Sequence, residues 1–113
     1  MPRLDVYLDS DLVFQIQMKD EAFWIGRGSD CLVSLNDPQV SHRHAHLSPG
    51  GEGWQIRNEG RNGTRLNANQ LTDRAPLKYG DRIYIGKYAM VFQNSDAPAL
   101  RADLDTPTST SNR

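Results

Sequence analysis

The sequence predicts an all-β fold in which two sheets pack together as a sandwich. Helical periodicity of apolar residues is almost absent. Instead, short stretches rich in Val, Ile, Tyr, Phe and Trp recur along the chain, separated by Gly, Asn, Asp and Pro. Pairs of turn-forming residues fall between these stretches, at Gly50-Gly51, Asn62-Gly63 and Gly86-Lys87. Many short strands with regular turn signals are typical of a β-sandwich.

Nine strands are predicted from these stretches. The segment 12–18 (LVFQIQM) is the clearest, because its even-numbered residues are all large and apolar, as expected of a strand with one buried face. Asn62-Gly63 predicts a type I′ turn between the strands on either side of it. The other strands are predicted from their β-branched and aromatic content between turn residues. In chain order the nine are 4–8, 12–18, 23–25, 32–34, 45–47, 54–56, 64–66, 82–85 and 88–93.

The length of 113 residues suits one small domain and argues against a large multi-domain enzyme. The longest uninterrupted apolar run has only five residues, Tyr88 to Phe92, whereas a membrane helix needs about 20. Aspartates occupy the N-terminal stretch where a signal peptide would be apolar. The single cysteine, Cys31, fits a reducing compartment. We therefore expect a cytoplasmic protein.

The composition changes after Gln93. Residues 94–113 contain no aromatic residue, no Val and no Ile. Such a segment buries too little apolar surface to offset the conformational entropy lost on ordering. We therefore predict a folded domain over residues 1–93 and a disordered polar tail over residues 94–113. Thr106, which precedes a proline, is a candidate phosphorylation site in that tail.

The net charge of −1 is too small to attract nucleic acid or an acidic membrane surface through a general field. The charge is uneven, however, because residues 1–37 carry a net −4 and residues 38–93 a net +4. Ten of the 13 basic residues are arginines, whose planar guanidinium suits carboxylate and phosphate oxygens. A solvated basic face is the commoner cause of such a pattern, so the charge alone does not establish an anion site.

Arg27 follows the predicted strand 23–25 and lies between two glycines. One reading of this segment is a simple turn between strands. The other makes Arg27 a clamp for an oxyanion, held rigidly at a strand end. No GxGxxG or Walker pattern occurs, which excludes the nucleotide-binding loops.

Three histidines alternate after Ser41, at positions 42, 44 and 46. On a strand they would share one face about 6.6 Å apart, so a metal site through His42 and His46 is one alternative. No cysteine or carboxylate nearby completes such a ligand set. Ser41 and His44 could also form a hydrolase pair, but the chain has no nucleophile elbow. We predict no metal, no cofactor and no enzymatic activity.

The order and spacing of these motifs resemble the forkhead-associated (FHA) domain, a module that binds phosphothreonine peptides. The matching segments are Ile25-Gly26-Arg27, Val40 to Ala45, Asn62-Gly63-Thr64 and Leu77 to Gly86. The last has the form L-x-x-G-D-x-I-x-I-G. The resemblance covers about residues 4–93. It implies a two-sheet sandwich of about eleven mostly antiparallel strands (FHA/SMAD-like) that binds ligand through loops at one end.

The resemblance also implies roles for individual residues. Arg27 matches the arginine that clamps the phosphate, and Ser41 matches the serine that donates its hydroxyl to a phosphate oxygen. Asn62 matches the asparagine that bonds the backbone of the bound peptide. His44 resembles the structural histidine that braces the loops without touching ligand. The glycines that serve backbone geometry are Gly26 and Gly63.

Three further residues extend the predicted phosphopeptide site: His42, Arg43 and Arg61. The loop Gly60 to Thr64 is one residue shorter than the family's frequent Gly-Ser-x-Asn-Gly-Thr and lacks its serine, which makes Arg61 a candidate second cation. A phosphothreonine brings about −1.5 to −2 charges and three acceptor oxygens. Arginine forks and hydroxyl donors on rigid loops suit such a ligand.

We therefore predict a phosphothreonine-dependent protein-binding adaptor in Ser/Thr kinase signalling. Its expected partner is a phosphothreonine-containing protein, either a kinase or a kinase substrate. We expect a monomer that binds neither nucleic acid nor membrane. Two alternatives stay open: a degenerate FHA domain that acts as a phosphorylation-independent scaffold, and the metal-binding β protein described above.

Overall fold

The computed structural model describes residues 1–99. Thr106 and most of the predicted tail lie outside these residues. In the described part of the chain, no helix is long and apolar enough to cross a bilayer. Eleven β-strands are present: β1 (Pro2–Leu8), β2 (Asp11–Gln17), β3 (Phe23–Gly26), β4 (Val33–Ser34), β5 (Ala45–Gly50), β6 (Gly53–Asn58), β7 (Thr64–Leu66), β8 (Asn69–Leu71), β9 (Arg74–Pro76), β10 (Arg82–Ile85) and β11 (Tyr88–Asn94).

The strands form two sheets, which confirms the predicted all-β sandwich. The six-stranded sheet has the order β2-β1-β11-β10-β7-β8, and the five-stranded sheet has the order β4-β3-β5-β6-β9. Neighbouring strands pair antiparallel, apart from the short parallel pair β3–β4. Each of the nine predicted stretches contributes a strand. The sequence missed β8 and β9, which are short polar strands at the edges of the two sheets, where burial imposes little apolar pattern.

The core lies between the two sheets. It contains side chains with no solvent exposure from both sheets, including Leu4 and Ile83 on one and Ile25, Leu47 and Ile56 on the other. Because alternate residues of a strand face opposite sides, these core positions fix which neighbours point to solvent. Burial of this apolar set is the main stabilising contribution to the fold.

Strand β2 differs from the simple alternation that its sequence suggests. A β-bulge lies opposite Val6 and Tyr7, so that Val6 pairs with Phe14 but Tyr7 pairs with Leu12. The extra residue shifts the register and turns the first part of the strand outward. Leu12 is therefore 41% exposed, whereas Phe14 still packs against the core.

The Asn62-Gly63 pair does not form the predicted type I′ hairpin turn. Strands β6 and β7 belong to different sheets, and only the glycine has a left-handed backbone, with φ of 83°. A type I′ turn needs positive φ at both central residues. That condition is met instead at Asp9 and Ser10, with φ of 52° and 70°, where β1 turns into β2.

The segment just after β11, which lies beyond the predicted domain boundary at residue 93, is bonded to β1. The Arg3 guanidinium forms two hydrogen bonds with Asp5, at 2.6 and 2.8 Å. It also donates to the carbonyl oxygens of Ser95 and Ala97, at 3.0 and 2.7 Å. The pair with Asp5 raises the pKa of the Arg3 guanidinium. These four bonds of the Arg3 guanidinium tie residues 95–97 to β1.

Candidate functional site

Three connecting segments meet at one end of the five-stranded sheet. Because β3 pairs antiparallel with β5, and β5 with β6, the end of β3, the start of β5 and the end of β6 lie together. We call the segments 26–28, 38–44 and 59–63 collectively the loop end. The six residues of the predicted phosphopeptide site all come from these segments.

Backbone hydrogen bonds join the first two segments directly. The Arg27 amide donates to the carbonyl oxygen of Ser41 at 2.9 Å, and the Gly28 amide donates to that of His42 at 3.0 Å. A side chain at Gly26 would overlap these same two carbonyl oxygens. The glycine therefore permits the close backbone approach that holds Arg27 beside Ser41.

His44 connects the second segment to the third. Its ring is completely buried. The Ser41 amide donates to Nδ1 at 2.9 Å, and Nε2 lies 2.7 Å from the carbonyl oxygen of Gly63, to which it donates. These contacts fix the neutral tautomer with its proton on Nε2. Gly60 packs on the ring so closely that any Cβ there would overlap it.

Arg27 is exposed and its side chain is only partly engaged. Its Nε donates to the carbonyl oxygen of Val40 at 2.9 Å, which fixes the orientation of the guanidinium. Among residues 1–99, neither of its terminal nitrogens has an acceptor. The side chain is therefore pre-oriented and still has several donors for a ligand.

The Ser41 hydroxyl lies at the boundary between the second and third segments. Its oxygen accepts a hydrogen bond from the Arg61 amide at 3.0 Å. Since a hydroxyl both accepts and donates, its own proton remains for another acceptor. The Arg61 side chain is exposed and, within the described residues, has no carboxylate partner. A cation and a hydroxyl donor thus lie on adjacent loops.

Asn62 completes the cluster. Its side-chain nitrogen donates to the carbonyl oxygen of Gln39 at 2.8 Å, which leaves its amide oxygen and one N–H available. A cavity of about 280 Å³ opens among these groups. Five of the six predicted site residues line it: Arg27, Ser41, His42, Arg61 and Asn62. Pro38, Gln39 and Val40 complete the lining.

Arg43 is the predicted site residue that does not line the cavity. Its guanidinium donates to one carboxylate oxygen of Asp30, at 2.7 and 3.0 Å. It also lies 5.5 Å from the centre of the Trp24 ring, within cation–π range. The bond to Arg43 holds the pKa of the Asp30 carboxyl below its usual value. Arg43 is therefore used in a surface cluster on the outer side of the sheet.

The three histidines do not share a strand face, contrary to the spacing argument for a metal site. Strand β5 begins only at Ala45, so His42 and His44 lie in the preceding loop, one exposed and the other buried. His46 packs against the Trp24 ring, with centroids 4.7 Å apart. Residues 1–99 contain no cluster of three potential metal ligands. The group of Ser41 that bonds Nδ1 of His44 is its backbone amide and not its hydroxyl, which differs from the pairing of a hydrolase.

Sequence reasoning missed two residues that shape the third segment. The side-chain oxygen of Asn58 accepts bonds from the Gly60 amide at 3.1 Å and the Thr64 hydroxyl at 2.8 Å, so it closes the loop on itself. Asn followed two residues later by Gly is a signal for this kind of turn. Gln39 was also missed. It holds the Asn62 side chain through its backbone carbonyl oxygen, and a backbone contact leaves no signal in the sequence.

The FHA domain family model matches residues 23–86, more than half of the chain. The chain belongs to the FHA family. Among curated relatives, the FHA domain-containing protein FhaB of Mycolicibacterium smegmatis is 35% identical over 74 residues, which are 65% of this chain and 48% of that protein. The glycogen accumulation regulator GarA of the same organism is 40% identical over 68 residues, 59% of this chain and 42% of that protein. The chain thus spans about half the length of these relatives.

Solved FHA domains have the same fold. The FhaA FHA domain, solved in complex with the intracellular domain of Rv3910, is 26% identical with a TM-score of 0.73, and the match covers 82% of this chain and all of that one. A domain solved in a study of phosphothreonine-dependent FHA interactions is 25% identical with a TM-score of 0.72, covering 84% and 99%. These matches place the loop end on an established FHA scaffold.

Proposed function

We propose that this FHA domain is a phosphothreonine-dependent protein-binding adaptor in Ser/Thr kinase signalling, and not an enzyme. The observation that carries the proposal is the cavity at the loop end. It brings together the side chains of Arg27 and Arg61, which have no carboxylate partner among residues 1–99, and the hydroxyl of Ser41. In this proposal, Arg27 and Ser41 bind the phosphate, Arg61 adds a second cation, and Asn62 bonds the peptide backbone.

The electrostatics of the cavity favour a dianionic group. A phosphothreonine carries about −1.5 to −2 charges and three strong acceptors at neutral pH. Hydrogen bonds from arginine to phosphate are about twice as strong as neutral ones, and guanidinium groups can donate two at once. Ser41 supplies a further donor, because its hydroxyl oxygen already accepts from Arg61. No carboxylate side chain lines this cavity.

The names of two relatives fit a regulatory role. One relative is described as a glycogen accumulation regulator and another, from Corynebacterium jeikeium, as an oxoglutarate dehydrogenase inhibitor. The solved domain studied for phosphothreonine-dependent interactions supports the ligand class. We propose that the partner is a phosphothreonine-containing kinase or kinase substrate. Burial raises the pKa of the Cys31 thiol, which keeps this free cysteine protonated and unreactive. We propose a cytoplasmic monomer.

A titration against synthetic peptides tests the proposal. Peptides carrying phosphothreonine, phosphoserine or unmodified threonine at one fixed position are measured by fluorescence anisotropy. We expect micromolar binding of the phosphothreonine form, because the phosphate engages Arg27 and Ser41, and at least about tenfold weaker binding without it. Phosphoserine should bind less well than phosphothreonine. Equal binding of the phosphorylated and unmodified peptides would favour the phosphorylation-independent scaffold instead.

A further inference from the structure

Asn62 lies in a tight turn that ends in a glycine. The Gly63 amide donates to the carbonyl oxygen of Gly60 at 3.3 Å, which closes a β-turn with Arg61 and Asn62 at its centre. Of these four residues, only Gly63 has a positive φ. Both central residues are exposed. The Asn62 side chain is therefore open to water at the mouth of the cavity that it lines.

The structure requires glycine at position 63. Its φ of 83° lies in the left-handed region that residues with a Cβ rarely adopt. A Cβ there would also overlap the side-chain nitrogen of Gln70. In the proposed function, position 62 must be asparagine in order to bond the peptide backbone. The binding site thus contains an Asn-Gly dipeptide, the only one in the sequence.

An Asn-Gly dipeptide is chemically labile. Asparagine loses its amide when the backbone nitrogen of the following residue attacks the side-chain carbon, and a following glycine has no side chain to hinder that attack. At this turn each reacting group is held by one hydrogen bond. Nδ2 of Asn62 donates to the Gln39 carbonyl oxygen at 2.8 Å, and the Gly63 amide forms the 3.3 Å bond that closes the turn.

We propose that Asn62 is a deamidation site whose conversion ends phosphopeptide binding. The Gly63 nitrogen gives up its proton to the solvent and bonds to the Asn62 side-chain carbon. The bond from that carbon to Nδ2 breaks, and Nδ2 leaves with a proton as ammonia. Water then opens the cyclic imide on one side or the other, which gives aspartate or isoaspartate. One water is consumed, one ammonia is released, and no oxidant or reductant is needed.

Either product removes what the loop end needs from residue 62. A carboxylate cannot donate to the Gln39 carbonyl oxygen and meets it as a second acceptor. It also places a negative charge in a cavity that now has no carboxylate side chain, where it competes with the phosphate for Arg27 and Arg61. Isoaspartate in addition lengthens the backbone of the turn. This consequence rests on the proposed function, whereas the lability of Asn62 does not.

A bound peptide should protect the site. In the proposed function, the Asn62 side chain is held by the peptide backbone as well as by Gln39, so it is less free to meet the Gly63 nitrogen. If only the free domain reacts, peptide at about ten times its Kd should slow the conversion about tenfold. Domains that are occupied would then keep their site, and domains that stay empty would lose it with time.

Ageing of the purified chain tests the modification. Samples with and without the tightest-binding phosphothreonine peptide of the titration are incubated at neutral and at mildly alkaline pH, and peptide mapping by mass spectrometry follows each asparagine. We expect Asn62 to convert first, and faster at the higher pH, because the attacking nitrogen must lose a proton. Asn67 is the internal control, since alanine follows it and its side chain bonds Asp81 and the Arg82 amide. Conversion of Asn62 no faster than that of Asn67 would overturn the inference.

The affinity of the converted protein tests the consequence. Deamidation changes the net charge from −1 to −2, so ion exchange separates the two forms. The converted form and the variant Asn62→Asp should bind phosphothreonine peptide at least about tenfold more weakly than fresh protein. Equal affinity of fresh and converted protein would overturn the inference and leave the proposed function standing. Fresh protein without phosphate-dependent binding would overturn the proposed function, while the mapping would still decide whether Asn62 is a deamidation site.

Discussion

Two regions of this domain are rich in arginine, and they use it in opposite ways. On the outer side of the five-stranded sheet, the side chain of Arg43, whose backbone belongs to the loop end, is paired with Asp30, and that of Arg57 with Glu59, at 2.7 and 2.6 Å. At the loop end, Arg27 bonds a backbone carbonyl and Arg61 has no carboxylate partner among residues 1–99. A guanidinium bound to a carboxylate has part of its field offset and some of its donors occupied, whereas one oriented by a carbonyl has no anion beside it and keeps donors for a ligand. The state of pairing, more than the number of arginines, therefore identifies the binding region.

The two regions also differ in how their histidines are held. His44 at the loop end is buried and hydrogen-bonded through both ring nitrogens, to Ser41 and Gly63. His46, in the other region, packs against Trp24 with the rings tilted and their centroids 4.7 Å apart. Its pKa is lowered, first by burial and then by the nearby Arg57. The buried His44 ring thus connects the segments of the loop end, whereas His46 belongs to a cluster on the surface of the sheet.

The largest effect should come from replacing the buried histidine. His44→Ala leaves the Ser41 amide and the Gly63 carbonyl without their partner and opens a cavity, so we expect a loss of about 2–4 kcal/mol in the free energy of unfolding. Phosphopeptide affinity should fall with it, because the loops lose their connection. His46→Ala, the matched control, should cost about 1 kcal/mol or less and keep the affinity. Chemical denaturation and anisotropy measure both. A His44→Ala protein with normal stability would refute the bracing role.

The next effect concerns the two arginines that differ most in pairing. Arg27→Ala should weaken phosphothreonine peptide binding about 10- to 100-fold, because hydrogen bonds to a charged group contribute about 1.5–3 kcal/mol. Its melting temperature should change little, since the side chain is exposed. Arg43→Ala removes a guanidinium held by Asp30 and should leave the affinity almost unchanged. If the two variants lost affinity equally, the distinction drawn from their pairing would be wrong.

A smaller effect should separate Arg61 from Arg57. Arg61→Gln keeps the backbone amide that bonds Ser41 but removes a cation from the cavity, and we expect about three- to tenfold weaker binding with a shallower salt dependence. Arg57→Gln breaks an exposed pair with Glu59 and should change neither quantity. Titrations at two salt concentrations distinguish these outcomes. Unchanged salt dependence in Arg61→Gln would show that this cation does not contact the phosphate.

The sequence predicted the fold well where a segment is buried on at least one face. Strands such as β1 and β10 carry the β-branched and aromatic residues that a sandwich interior requires. Edge strands β8 and β9 lack that constraint and left no pattern. The bulge in β2 was invisible because alternation in sequence does not reveal where a strand gains an extra residue.

The sequence predicted which residues form the site, but not which of its arginines are paired with carboxylates. The motif spacing pointed to Arg27, Ser41 and Asn62, which the structure brings to one cavity. It could not show that Arg43 is captured by Asp30, because that contact joins residues 13 positions apart through loop geometry.

The smallest effect is a difference in pH response between the two regions. The pKa of His46 lies below its ordinary value of 6.5, so the unfolded chain takes up the proton first. The stability that this neutral histidine contributes is therefore present above about pH 6.5 and is lost as the pH falls below it. Peptide binding should also weaken below about pH 6, but for a different reason, because the phosphate gains its second proton there. His46→Gln should flatten the fall in the free energy of unfolding between pH 7.5 and 5.5 while leaving the pH dependence of binding as in the wild type. Denaturation and anisotropy measured over the same pH range separate the two. A variant that altered the binding profile and not the stability profile would mean that the histidine belongs to the loop end after all.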